Sequence, residues 1–314
     1  MTALTNKPLC VVVLLTLVPT LSAGSSFTCT STNVLTPPVA AGRALAFVVQ
    51  VTSDTGLDLY NINSSVSSAV ARLGDSAINR FVLVTFNNTG YDVVADVDNS
   101  DDFVKAISNV QYAFRTAHCG TRGLQALSTI IAKHLPKRSV VYVFTDDPQP
   151  YTDATTNTIP VEAVRKHIIV NFVVTVRMIT CQKHEANKAQ PINSIMRRIA
   201  DFTTGHVFVM RKPSIPPLLV GYLPFAVNSS LVAQAEYADC SVAKTVKVPI
   251  DMHVSSFTIA VGGVFPEIVV TDPTGQVTTP TAILSDCAHL FVYKQDRSKL
   301  TFHEILDFLK TITG

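Results

Sequence analysis

At 314 residues, with 47% hydrophobic and 15% charged residues, the chain has the composition of a protein with a substantial apolar core, which excludes intrinsic disorder. The length suits one large domain with a smaller one, or two of ordinary size. A formal net charge of +2, with acids and bases interspersed, excludes the basic face of a nucleic-acid binder.

In chain order, Lys7 precedes an apolar run over residues 9–18, and Ser22, Ala23 and Gly24 follow it. This is the pattern of a secretory signal over residues 1–24, cleaved near Ala23 or Gly24. The run is shorter than the about 20 residues a membrane span needs, and no later stretch is longer. The mature chain is expected to be secreted, without a membrane span. Residues 25–43, rich in Thr, Ser, Pro and Gly, read as an irregular lead-in.

The apolar run that opens residues 44–54 is continuous rather than alternating, as in a strand buried on both faces of a parallel sheet. The loop at 50–56 then lies at the strand's C-terminal edge, where open α/β sheets place their ligands. Leu59, Ile62, Val66, Val70 and Leu73 recur at helical spacing and predict a helix over 57–73. Strands follow at 80–86 and 91–95, joined by a turn at 87–90, which predicts an antiparallel edge strand. Asp101, Asp102, Phe103 and Ile107 suit a short helix, and Leu124, Leu127 and Ile131 place another on 120–134. A second fully apolar strand, 139–145, ends in Asp146-Asp147-Pro148. A helix opening near Pro160, a strand at 168–176, a helix at 192–202 stopped by Gly205, a short strand at 207–210 and a Pro-rich helical segment at 214–223 complete this part. Strands alternating with amphipathic helices predict an α/β domain over 44–223, a doubly wound, mostly parallel sheet.

The pattern changes at about residue 224. Short strands at 246–250, 256–261, 267–271 and 288–294, separated by Gly, Pro and Asp, predict a small β-sandwich-like domain over 224–297. Thr301-Phe302-His303-Glu304 fits a capping box, and Ile305, Leu306 and Leu309 continue a helical face, which predicts a C-terminal helix over 298–314.

Asn-x-Ser/Thr sequons begin at Asn63, Asn87 and Asn228 and are glycan acceptors in an exported chain. Cys10 leaves with the signal, and the remaining Cys29, Cys119, Cys181, Cys240 and Cys287 make an odd count. In an oxidising compartment that leaves one thiol unpaired or one bridge between chains. There is no nucleophile elbow, dinucleotide-binding turn or phosphate loop. His118 and Cys119 with Asp146 could be drawn as a thiol site, but an exported cysteine is more often oxidised than catalytic. The chain is expected not to be an enzyme. His134, His167 and His184 read as surface residues, and the acids at 96–102 as a solvated loop and helix start.

Three segments, Ala46-Phe47-Val48-Val49-Gln50-Val51-Thr52-Ser53-Asp54, His118-Cys119-Gly120 and Val141-Tyr142-Val143-Phe144-Thr145-Asp146, fall in the order and spacing of a von Willebrand factor type A domain. The chain resembles that family over roughly residues 44–280, and most of all the amino-terminal region of the hemicentins, extracellular-matrix proteins with a β-sandwich after the A domain. The resemblance implies a metal-ion-dependent adhesion site, in which a first loop Asp-x-Ser-x-Ser and two further loops hold a divalent cation, usually Mg2+, with a position open to a partner's carboxylate. Here the first-loop positions are Gln50, Thr52 and Asp54, so a neutral amide replaces the anionic anchor. The second loop carries His118, a poor magnesium ligand, where relatives have an oxygen; Thr116 or Thr121 are the nearest substitutes. The third loop keeps Asp146, with Asp147 beside it.

Two expectations follow: a residual Mg2+ site on Thr52, Asp54 and Asp146, or a degenerate loop that binds partners without metal. In either case the resemblance points to a partner face of Gln50, Ser53, Thr116, His118, Thr121 and Asp147. It also implies a Cys119–Cys181 disulfide, which leaves Cys240 and Cys287 to pair in the second domain and Cys29 free or linking two chains as a dimer. The expected function is a secreted, non-enzymatic module for adhesion to an extracellular protein or matrix ligand. The alternative is a soluble recognition or immune-type effector that binds glycan or a microbial surface.

Overall fold

A computed structural model describes residues 11–19, 42–74, 78–112, 121–147, 152–175, 194–228, 230–237, 244–249, 254–262, 269–271, 277–278, 281–285, 288–294 and 305–310. The first strand is β1 (Val11–Pro19). The α/β part then runs β2 (Arg43–Gln50), α1 (Gly56–Ala71), β3 (Ile78–Phe86), β4 (Tyr91–Val97), α2 (Ser100–Ser108), α3 (Gly123–Lys133), β5 (Val140–Thr145), α4 (Ile159–Arg165), β6 (Ile169–Thr175), α5 (Ser194–Phe202) and β7 (Val207–Met210). A helical run over residues 212–228 closes it, with a π turn at Leu218–Tyr222.

These strands form one six-stranded sheet in the order β4-β3-β2-β5-β6-β7. Every pairing is parallel except β3 with β4, the hairpin edge expected from the sequence. The α/β class is therefore as predicted. Strand order reverses between β2 and β5, and the ends of those two strands frame the crevice where this architecture binds ligands.

Alternation along β2 sorts the core into two layers. Leu45, Phe47 and Val49 face α1, α2 and the run 212–228. Ala44, Ala46 and Val48 face α3, α4 and α5. Phe47 is fully buried and meets Phe103, Tyr142 and Phe144 edge-on at centroid distances of 5.4, 6.2 and 5.2 Å. Such a strand contributes through area removed from water, roughly 1.5–3 kcal/mol for each large side chain. Gly205, the predicted helix stop, is required by space: a Cβ there would lie 2.0 Å from the Val170 carbonyl oxygen.

Two readings of charged residues change. Asp96 is not in a solvated loop; β4 runs on to Val97, and Asp96 accepts from Arg80 of β3 at 2.6 Å. His134 is not a bare surface residue, since its Nδ1 lies 2.8 Å from the same carboxylate. A ladder partner on β3 extends β4 beyond what its own sequence indicates.

Beyond the α/β part lie β8 (Ser230–Tyr237), β9 (Lys244–Pro249), β10 (Val254–Gly262), β11 (Val269–Thr271), β12 (Val277–Thr278), β13 (Thr281–Ser285), β14 (Ala288–Lys294) and β15 (Ile305–Lys310). They form two antiparallel sheets, β13-β14-β10-β1-β8 and β12-β11-β15-β9. The apolar run of the export signal expected over 1–24 is, where described, the strand β1, paired with both β10 and β8. The C-terminal helix expected over 298–314 is overturned where residues are described. Ile305–Lys310 is β15, bonded to β9 on one side and β11 on the other. A strand paired on both edges satisfies its backbone groups in the ladders, which outweighs the weak intrinsic preference of the segment for a helix. Residues 301–304, which carry the capping box, lie outside the described residues.

Candidate functional site

Gln50 ends β2 and Asp146 follows β5, so the parallel pairing of the two strands brings them side by side at the switch point. Gln50 is 1% exposed, and its amide is fully used. Its Nε2 donates to Asp146 Oδ1 at 2.6 Å and to Thr52 Oγ1 at 3.1 Å. Its Oε1 accepts from Thr145 Oγ1 at 2.6 Å and from the Asp146 amide at 3.2 Å. The neighbours fix the orientation: only oxygen can meet the Asp146 N–H, and only the NH2 group can meet a carboxylate.

The network runs on into the other loops. Thr145 Oγ1 accepts from the Asp147 amide at 3.0 Å, and Asp147 Oδ2 accepts from the Thr121 amide at 3.0 Å. Thr55 Oγ1 donates to the Gln50 carbonyl at 2.8 Å and accepts from the Thr52 amide at 2.9 Å, closing the first loop. Gln50, Thr52, Thr121 and Asp147 are thus buried and brace the face from beneath. Ser53, Asp54 and Asp146 are half-buried at its surface. Thr116 and His118 lie outside the described residues, as do Cys29, Cys119, Cys181, Cys240 and Cys287.

A further carboxylate, not singled out from the sequence, completes the corner. Asp58, in the first turn of α1, is 3% exposed. Its Oδ2 accepts from Lys212 Nζ at 2.7 Å and from Thr175 Oγ1 at 3.0 Å. Lys212 Nζ also donates to the Asp54 carbonyl at 2.7 Å. Burial pushes the Asp58 carboxyl up to about 6 even though Lys212 pulls it down. Burial also raises Asp146, with Lys212 and the Gln50 hydrogen bond working against the rise. Among the described residues, Asp58 Oδ1, Ser53 Oγ and Thr121 Oγ1 are buried without a hydrogen-bond partner. No motif marked Lys212. The available signal was the spacing of Asp54 and Asp58, one helical turn apart beside a half-buried loop.

The rim is apolar. Leu57, Tyr60 and Tyr112 are 50%, 67% and 44% exposed. The Tyr112 ring lies over Gly56, where a Cβ would meet it at 3.7 Å.

The model of the von Willebrand factor A domain matches residues 44–212, more than half of the chain. The chain belongs to the von Willebrand factor A domain family. Domains of this family are common protein–protein interaction modules, generally not enzymes, and often hold Mg2+. The chain is 25% identical over 261 residues to protein irg-7 of Caenorhabditis elegans, a match that covers 79% of this chain and 11% of irg-7. It therefore spans about a tenth of that relative's length. Among solved structures, a von Willebrand factor type A protein from Catenulispora acidiphila aligns at 10% identity and a TM-score of 0.42, over 87% of this chain and 58% of that one. Proximal thread matrix protein 1 of the mussel byssus aligns at 18% identity and a TM-score of 0.41, over 61% of this chain and 47% of that one.

The A-domain's usual ion can be tested against the residues present. Mg2+ requires oxygen lone pairs in near-octahedral array. Position 50 instead presents two N–H hydrogens, directed at Thr52 and Asp146, two of the three oxygen donors the sequence offered for the ion. Among the described residues, no group of three or more His, Cys, Asp or Glu side chains is placed to hold a metal. The donor set among the described residues does not fit the ion. Among the described residues, no helix is long and apolar enough to cross a membrane.

Proposed function

We propose that the chain is a secreted, non-enzymatic adhesion module that binds an extracellular protein through the corner built by Gln50, Asp146 and the start of α1. The observation that carries this is the exposed apolar rim of Leu57, Tyr60 and Tyr112 beside a buried, interlocked polar floor. Large aromatic side chains around a water-excluding centre are what binding hot spots are made of. The floor also supplies rigidity, because three loops share one hydrogen-bond network and the rim starts from it.

Export is supported by the leader pattern at 1–24 and by two sequons at accessible places, Asn63 on the exposed side of α1 and Asn87 in the β3–β4 turn. Asn228, at the end of the helical run, is the third proposed glycan site. The strands after residue 229 are read as a β-sandwich that carries the A domain, as in the hemicentin-like arrangement. The proposed disulfides are Cys119–Cys181 and Cys240–Cys287, with Cys29 available for a second chain.

The test is retention in extracellular matrix. The tagged chain is expressed in cultured animal cells, and its amounts in medium and in decellularised matrix are compared. Wild type is expected to be exported and retained. Tyr60→Ala and Leu57→Asp are each expected to lower retention by about tenfold or more, the scale of a lost hot spot. Val161→Asp, 67% exposed on α4 on the opposite layer, is the control and is expected to leave retention unchanged. Equal retention of all variants, or a chain that stays inside the cell, refutes the reading.

A further inference from the structure

We propose that Lys212 is the resident cation of this face: its ammonium takes the role a divalent ion has in metal-dependent A domains, so the positive charge of the site comes from within the chain. Lys212 follows β7 and reaches the first loop and α1 together, donating to the Asp54 carbonyl and to Asp58 Oδ2, each at 2.7 Å. Its side chain is only 12% exposed and that of Asp58 4%, so the charge is enclosed with its counter-ion. The base of the residue is held as well: Asn61, one turn along α1 from Asp58, donates its amide to the Lys212 carbonyl at 2.8 Å. A lysine anchored at both ends has little freedom to leave.

The first loop keeps one negative charge, lost at Gln50 and regained at Asp54, and the ammonium of Lys212 is paired with the further carboxylate of Asp58. The Gln50 amide gives Asp146 a hydrogen bond in place of a contact with an ion. A buried charge pair of this kind is poor evidence for stability but well suited to fixing one arrangement of a site. A partner therefore meets a finished surface rather than an open metal position, and binding is expected to be indifferent to chelators.

The proposal rests on the reading of this corner as the partner face. Its test measures melting alone, so either idea can fail while the other stands. The exported chain, the Gln50→Asp variant and the Gln50→Asp/Lys212→Met variant are melted in EDTA and in rising millimolar Mn2+ near pH 8. Wild type is expected to melt at one temperature throughout. Gln50→Asp is expected to share that indifference, because the enclosed ammonium of Lys212 already supplies the positive charge of the corner. The double variant, with Asp at position 50 and no ammonium, is expected to melt lower in EDTA and to rise saturably by several degrees with Mn2+. A saturable Mn2+ shift in wild type or in Gln50→Asp alone overturns the proposal, as does a folded double variant that ignores the ion. If the double variant does not fold, the first two proteins still decide.

Discussion

Two charged bridges in this molecule use the same chemistry in opposite surroundings. At the sheet edge, Arg80 grips Asp96 through two nitrogens at 2.6 and 2.7 Å, with side chains 40% and 23% exposed. At the switch point, Lys212 meets Asp58 with both side chains nearly enclosed. Hydrogen bonds from Arg80 hold the Asp96 carboxyl below its ordinary range, whereas burial carries Asp58 above it. Desolvation decides the direction: in water the partner's attraction wins, and inside the protein the loss of hydration outweighs it. The exposed bridge is a minor staple of a strand edge, while the enclosed one positions a site.

The largest expected effect comes from removing one side of the enclosed bridge. Lys212→Met leaves Asp58 buried without its counter-ion and is expected to cost about 3–5 kcal/mol, read from denaturant unfolding. Adding Asp58→Asn to Lys212→Met removes the stranded charge and is expected to recover most of that loss. If the single variant unfolds like wild type, the bridge does not hold the corner.

The second effect is on pH. The folded-state pKa of Asp58 lies above its unfolded value, so this group's stabilising contribution is fully present below about pH 4. It fades as pH rises through about 6, a change on the order of 3 kcal/mol. Asp96 has the opposite sign: its lowered pKa gives a contribution present above the ordinary carboxylate range and lost as pH falls through the depressed value. Stability measured from pH 4 to 7 is expected to keep its Asp58 slope in Arg80→Ala and to lose it in Asp58→Asn.

The smallest effect is at the edge itself. Arg80→Ala is expected to cost less than about 1 kcal/mol, and less again in high salt, because an exposed pair is screened. A larger, salt-independent loss would mean that Arg80 does more than bridge to Asp96.

The sequence alone determined the frame. Continuous apolar runs at Ala44–Val49 and Val140–Phe144, with helical stripes between them, can be buried only in a layered α/β sheet. The two loops at the ends of those strands follow from strand direction. The tertiary structure decided how the corner is charged. Lys212 is more than 150 residues from Asp58 along the chain, and no local pattern marks a lysine that will be enclosed. Whether Gln50 is a vacant ligand position or a saturated amide also depended on which groups parallel pairing placed around it. Local rules failed outright at Ile305–Lys310, where a segment patterned for a helix became a strand because β9 and β11 offered ladder partners on both edges. Short elements take the state their neighbours stabilise, because a few tenths of a kcal/mol of intrinsic propensity per residue is less than the backbone bonds that pairing supplies.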